Sequence, residues 1–273
     1  MSIRPALTTS SATPTIEGAG VQLHRAFGFN SPETHDPFLL FDDFRNDSPE
    51  SYLAGFPWHP HRGIETITYV LSGSVTHSDS LGNSGTLTNG DVQWMTAGSG
   101  IMHQEMPTGN AQGQMHGFQL WANLPGYLKM TTPRYQDVQS KDISEIIDDD
   151  GTKVKVITGK FWGRKGPVDG IAADPLYLDI SVPAGHRKSF KVDTYRNTFA
   201  YIFEGEGKFA DASVPKGILL EKEVLGQELN IRDMSGNRTL VKFGTGNEIV
   251  IQAGPQGIRF LLIAGTPIQE PIA

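Results

Sequence analysis

Hydrophobic and polar positions alternate with a period of two along most of this chain. The clearest run covers residues 63–75, where Ile67, Tyr69 and Leu71 fall on one face and Thr66, Thr68 and Val70 on the other. That is the pattern of a half-buried strand. Further strands are predicted over 21–29, 38–44, 91–95 and 117–121. A second series follows over 154–158, 176–182, 197–203, 217–223, 239–243, 248–252 and 258–264. Turn signals such as Leu81-Gly82-Asn83 and Thr88-Asn89-Gly90-Asp91 separate them. With 31 glycines and 17 prolines, the chain favours short strands over long helices.

Between the two series, residues 131–152 turn polar and charged, include Asp148-Asp149-Asp150-Gly151, and show some helical tendency over 142–147. They are read as a linker between a domain at 18–130 and one at 153–273. Residues 1–17 contain a Ser-, Thr- and Pro-rich stretch and are expected to form a mobile leader. The halves look like a weak internal repeat. Tyr69-Val70-Leu71-Ser72-Gly73 matches Tyr201-Ile202-Phe203-Glu204-Gly205, Gly90–Gln93 matches Gly246–Ile249, Ala97-Gly98 matches Ala253-Gly254, and Gly117–Trp121 matches Ile258–Leu262. Four matches in one order point to duplication.

Charge and histidine content separate the halves. The net charge of the chain is −7, which argues against direct nucleic-acid binding through a basic face. Residues 1–130 hold 11 acids and 5 bases, and the remainder holds 19 and 18. Seven of the 8 histidines precede residue 120. With no cysteine, the chain has no disulfides, thiolate nucleophiles, Fe–S clusters or cysteine zinc sites. No apolar run reaches the ~18 residues of a spanning helix, so no membrane partner is expected. The N-terminus lacks a secretory h-region. A cytoplasmic monomer is the expectation.

His59-Pro60-His61 and His103-Gln104-Glu105 carry the candidate chemistry. Side chains at i and i+2 of a strand share a face, so each motif can aim two ligands at one point. Three imidazoles and one carboxylate suit one divalent transition metal per chain, with two positions open on an octahedral ion. Glu65 shares the parity of His61, and the residues alone leave Glu65 and Glu105 open as the carboxylate. Carrying the ligand offsets across the repeat lands on Lys191, Asp193, Arg259 and Leu261, so the second half is expected to bind no metal. Trp58, Trp94 and Trp121 are read as core aromatics. His77 and His116 are read as surface residues, His24 and His35 as structural, and Arg62 as solvated.

A duplicated small β-barrel with an H-x-H strand resembles the cupin superfamily. Asp36–Phe44, Phe56–Thr66, Gly90–Pro107 and His116–Leu124 resemble the pirin family more closely, and Pro175–Asp179 and Leu262–Ile272 continue the likeness. The resemblance implies an all-β chain of two tandem cupin barrels, the first holding a mononuclear iron, Fe(II), on His59, His61, His103 and Glu105. It selects Glu105 over Glu65, leaving Glu65 as a partner of a ligand or a strand-face residue. Mn, Ni, Co and Cu are the alternative ions. The implied activity is a dioxygenase opening flavonols such as quercetin with O₂, with Glu105, or a water it holds, as base. The alternative is an iron-dependent transcriptional co-regulator acting through a protein partner, nuclear in a eukaryote. A metal-storing bicupin and a sugar isomerase are more distant readings. Family chains usually continue beyond the last motif with a Gly-Pro-Phe segment and a helical tail, and the resemblance leaves truncation after Ala273 open.

Overall fold

The computed structural model describes residues 2–30, 32–210 and 234–272. The strand expected over 217–223 lies outside them. The first strands are β1 (Ala6–Ser11), β2 (Thr13–Glu17), β3 (Val21–Phe27), β4 (Phe38–Asp43), β5 (Phe56–His61), β6 (Ile64–Ser72), β7 (Ser74–Asp79), β8 (Ser84–Leu87), β9 (Val92–Thr96), β10 (Ile101–Thr108), β11 (His116–Asn123) and β12 (Arg134–Val138). Then come β13 (Ser144–Ile147), β14 (Lys153–Thr158), β15 (Lys160–Phe161), β16 (Arg164–Lys165), β17 (Leu176–Val182), β18 (Arg187–Lys191), β19 (Asn197–Phe209), β20 (Ser235–Gly236), β21 (Thr239–Phe243) and β22 (Glu248–Gly265).

These strands build two tandem cupin barrels. In the first, a long sheet of order β12-β9-β6-β11-β4-β3-β2 faces a short sheet of order β5-β10-β7-β8. In the second, the long sheet runs β1-β21-β19-β22-β17-β14-β13, and β18 pairs with the first part of β22. The stretches 248–252 and 258–264, predicted as two strands, are one continuous strand.

The long sheets pack on each other through a shared core that includes Ile67, Tyr69 and Phe118 from one barrel and Tyr177, Tyr201 and Leu261 from the other. Two reciprocal hydrogen bonds cross it. Tyr69 donates to Asp179 Oδ2 at 2.8 Å, and Tyr201 donates to Asp43 Oδ2 at 2.8 Å. Arg259 and Arg45 neutralise the two aspartates at 2.7 and 2.5 Å. Hydrogen bonds to charged groups contribute about 1.5–3 kcal/mol each.

Three boundary expectations are corrected. Residues 6–17 are paired strand, not a mobile leader: β1 pairs with β21 of the second barrel and β2 with β3 of the first. Arg4 is buried, and its guanidinium donates to the carbonyls of Gly246, Arg196 and Asp193. The Thr/Ser run that reads as flexible is also good edge-strand material. The linker at 131–152 divides between the barrels, because β12 pairs with β9 and β13 with β14. The helical tendency over 142–147 gives way to one 3₁₀ turn at Ser140–Asp142 followed by β13.

Pairing also refines the repeat. Tyr69 lies opposite Phe118 and Tyr201 opposite Leu261, so Phe118 corresponds to Leu261, two residues from the sequence match. Val92 pairs with Tyr69 and Leu240 with Tyr201, so the counterpart of β9 is β21 and not residues 246–249.

Candidate metal centre

β5 and β10 bring the histidines together. Both prolines of β5, Pro57 and Pro60, lack an amide donor, which suits its place at the edge of the short sheet. His103 pairs with His59 and Ile101 with His61, so all three imidazoles share one face. Their ring centroids lie 4.5–4.9 Å apart. His59 Nε2 sits 3.1 Å from His61 Nε2, and one ring nitrogen of each of the three lies within 4.8 Å of the others. His59 Nδ1 is 2.8 Å from the Pro57 carbonyl. Donating that proton leaves Nε2 as a bare lone pair aimed into the cluster. Burial, then the neighbouring histidines, hold His61 down to about 3; burial, then His59 and His77, do the same for His103. Neutral imidazole is the form that ligates a metal.

Glu105 follows on β10 after a bulge that sets it opposite Phe56. It is buried, shares a cavity with His59 and His61, and accepts a hydrogen bond from Thr68 Oγ1 at 3.1 Å. Burial pushes its pKa up, against the opposing pull of His59 and Thr68. It stands outside the tight group formed by the three histidines. Glu65 lies elsewhere. On β6, Thr68 faces the cavity while Ile67 and Tyr69 face the second barrel, and Glu65 shares their parity. Its Oε1 accepts from Thr96 Oγ1 at 2.7 Å, and burial raises its pKa.

The cavity has a volume of about 580 Å³. Leu23, Phe44, Val75 and Met115 supply apolar wall, Phe29, Trp58 and Trp121 aromatic wall, and Thr68, Glu105 and Gln119 polar points. Arg25 and Asp42, paired at 2.7 Å, add a charged patch. Of the three tryptophans expected in the core, only Trp94 is fully buried there. Trp58 is half-exposed at the cavity, and Trp121 sets its ring edge-on to His61 at 4.9 Å. A β strand that lines a pocket has the same alternation as one that lines a core, so the sequence does not separate the two.

His77 is another correction. It is buried rather than on the surface, lies opposite Glu105 across β7 and β10, and stacks on Tyr135 at 5.5 Å. Its parity with Val75 and Asp79 was the available signal. His116 is partly exposed and bound to Asp47. His35 stacks on Phe27, and Arg62 is exposed.

The second barrel has different residues at the corresponding places. Val75 and Gly207 each lie two residues past the matched glycines, Gly73 and Gly205, and pair with Pro107 and Ala253. Counting back, Glu105 corresponds to Ile251 and His103 to Ile249. Ile249 pairs with Phe190, the counterpart of His59, and two residues on Val192 matches His61. Lys191, Asp193, Arg259 and Leu261 are therefore out of register. A larger pocket, about 1180 Å³, opens beside this barrel among Phe161, Trp162, Lys165 and Arg196, and no histidine lines it.

Residues 20–122 match the family described as Pirin, and residues 177–273 match the Pirin C-terminal cupin domain. A pirin-like protein of Caulobacter vibrioides is 41% identical over 273 residues, which cover 100% of this chain and 91% of the relative. A Pseudomonas aeruginosa protein provisionally named a quercetin 2,3-dioxygenase is 40% identical over 261 residues, covering 92% of this chain and 90% of its own length. The solved structure of quercetin 2,3-dioxygenase from Acinetobacter baumannii aligns with a TM-score of 0.83 at 29% identity, covering 99% of this chain and 90% of that one.

Proposed function

Because the chain belongs to the pirin family, we propose that its N-terminal barrel is a metal-dependent dioxygenase opening flavonols such as quercetin with O₂. One observation carries this reading: three imidazoles, those of His61 and His103 buried, converge beside an apolar, aromatic-sided cavity that His59 and His61 line. The donor set fits one divalent transition ion. Both ring nitrogens of His103 are buried without a hydrogen-bond partner among the described residues. Such groups are costly unless a ligand satisfies them. His59, His61 and His103 would hold the ion with Glu105 as the anionic ligand; Fe(II) is the favoured ion, and Mn, Ni, Co or Cu the alternatives. When bound, the ion would supply Lewis acidity toward a substrate oxygen and an electron route to O₂.

The remaining roles belong to the chain. The cavity volume lies in the range of small-molecule sites, roughly 300–1,000 Å³. Trp121, Trp58 and Phe29 line the cavity and supply aromatic surface for a planar ligand. Glu105, made more basic by burial, takes the proton of the flavonol 3-hydroxyl. The apolar wall keeps water from competing at that carboxylate.

In the test, metal-loaded protein consumes quercetin's long-wavelength absorbance only with O₂ present, and C3 is released as carbon monoxide as the C2–C3 and C3–C4 bonds both break, with the two oxygens of O₂ ending on C2 and C4. Glu105→Gln abolishes turnover and weakens metal retention; Glu65→Gln keeps both within about 10-fold, as for a group outside the ligand set. Metal-loaded protein that consumes no O₂ with flavonols, or runs no faster than free metal ions, replaces this reading with the regulatory one.

A further inference from the structure

Thr68 Oγ1 lies 2.7 Å from Gln119 Oε1 and 3.1 Å from Glu105 Oε1. A hydroxyl has one proton to donate. If Glu105 is the anionic ligand of the proposed function, on which this inference rests, both neighbours are acceptors and one contact has no proton. Turning the Gln119 amide by 180° resolves this at no steric cost, since its oxygen and nitrogen have nearly the same shape. Nε2 then donates to Thr68, and Thr68 donates to Glu105. The turn also moves Gln119 Oε1 to the amide position away from Thr68, on a side chain that lines the same cavity as Thr68 and Glu105.

We propose that Gln119 and Thr68 are positioning residues, a directed pair that orients Glu105, and that Gln119 Oε1 accepts a second hydroxyl of the bound ligand. The site then selects polyhydroxylated flavonols over the parent 3-hydroxyflavone. A carboxylate fixed by a donor loses less freedom when it binds an ion, so the same pair strengthens metal binding. The cross-strand register supports the arrangement: Thr68 lies directly opposite Gln119 on neighbouring strands, so the two side chains share a face.

The experiment has two readouts that need no turnover. Mn(II) affinity is measured by chelator competition, and quercetin and 3-hydroxyflavone are titrated anaerobically into the Mn(II)-loaded protein, with thermal melts confirming folding. Thr68→Val, close in shape, should weaken Mn(II) binding roughly 10-fold, and Thr68→Ser should restore it. Gln119→Leu should reduce the preference for quercetin over 3-hydroxyflavone about 5-fold, the scale of one neutral hydrogen bond. Unchanged Mn(II) affinity in Thr68→Val, or an unchanged preference in Gln119→Leu, overturns the inference while leaving the proposed function standing. Wild-type protein that retains Mn(II) but binds neither flavonol overturns the proposed substrate class, and with it the role of Gln119 Oε1.

Discussion

In the first barrel, the inward positions of β5 and β10 carry His59, His61, His103 and Glu105 beside a ligand-sized cavity. In the second, the matching positions of β18 and β22 carry Phe190, Val192, Ile249 and Ile251, all buried in one hydrophobic cluster. The Phe161 and Trp162 rings, from the β15–β16 hairpin, pack against Phe190 at 6.1 and 6.0 Å. The same topology thus has two stable fillings. One satisfies the interior with apolar side chains at native packing density. The other keeps buried polar groups whose cost the proposed ion would offset. The first barrel retains the polar cluster, while the second packs its long sheet against the outer face of the first.

The largest expected effect is at the first barrel's cluster. His103→Ala should reduce metal content from one ion per chain to near zero and flavonol consumption to the background rate, by elemental analysis and O₂ uptake. Circular dichroism should show both barrels folded. A reproducible ratio of two ions in the unaltered protein would break the comparison, because it would place ligands where the packed side chains are.

The next effect concerns stability. Phe190→Ala should destabilise the protein by about 3–5 kcal/mol, the range for a buried aromatic, while metal content stays at one. Loss of metal in this variant would show that the barrels do not divide their roles as described.

Acid should separate the two fillings. His61 and His103 have folded-state pKa values of about 3, below the ordinary histidine value of 6.5. Between those limits the unfolded chain binds protons that the folded chain does not, so stability falls as pH drops from 6.5 toward 3. The slope approaches about 1.4 kcal/mol per pH unit for each histidine in metal-free protein. Denaturant titrations at pH 7 and pH 5 measure it. His61→Leu with His103→Leu should flatten the curve, since apolar replacements make the first barrel resemble the second.

The smallest effect tests the joint between the barrels. Tyr201→Phe removes one hydrogen bond to Asp43 and should cost about 1.5–3 kcal/mol, with metal content unchanged. Tyr69→Phe should match it through Asp179 if the pseudo-symmetry is energetic as well as geometric.

The sequence by itself determined the strand content, the two-part organisation and the three histidines. These rest on local rules: a period of two, glycine-marked turns, and ligand pairs spaced i, i+2 on one strand. Tertiary structure decided what depends on pairing between distant strands. Ser- and Thr-rich residues 6–11 have no partner in view along the chain, yet β21 supplies one more than 225 residues away. Glu65 and Glu105 both fit the parity argument, and only the direction each face of β6 and β10 takes in the closed barrel places Glu105 in the cavity and Glu65 against Thr96. The repeat was legible, but its ligand register was not, because a bulge or a loop of different length shifts a sequence offset while leaving strand pairing intact. Buried His77, cavity-side Trp121 and the Thr68–Gln119 contact were likewise settled only by barrel closure, since alternation assigns a side chain to a face without saying what that face encloses.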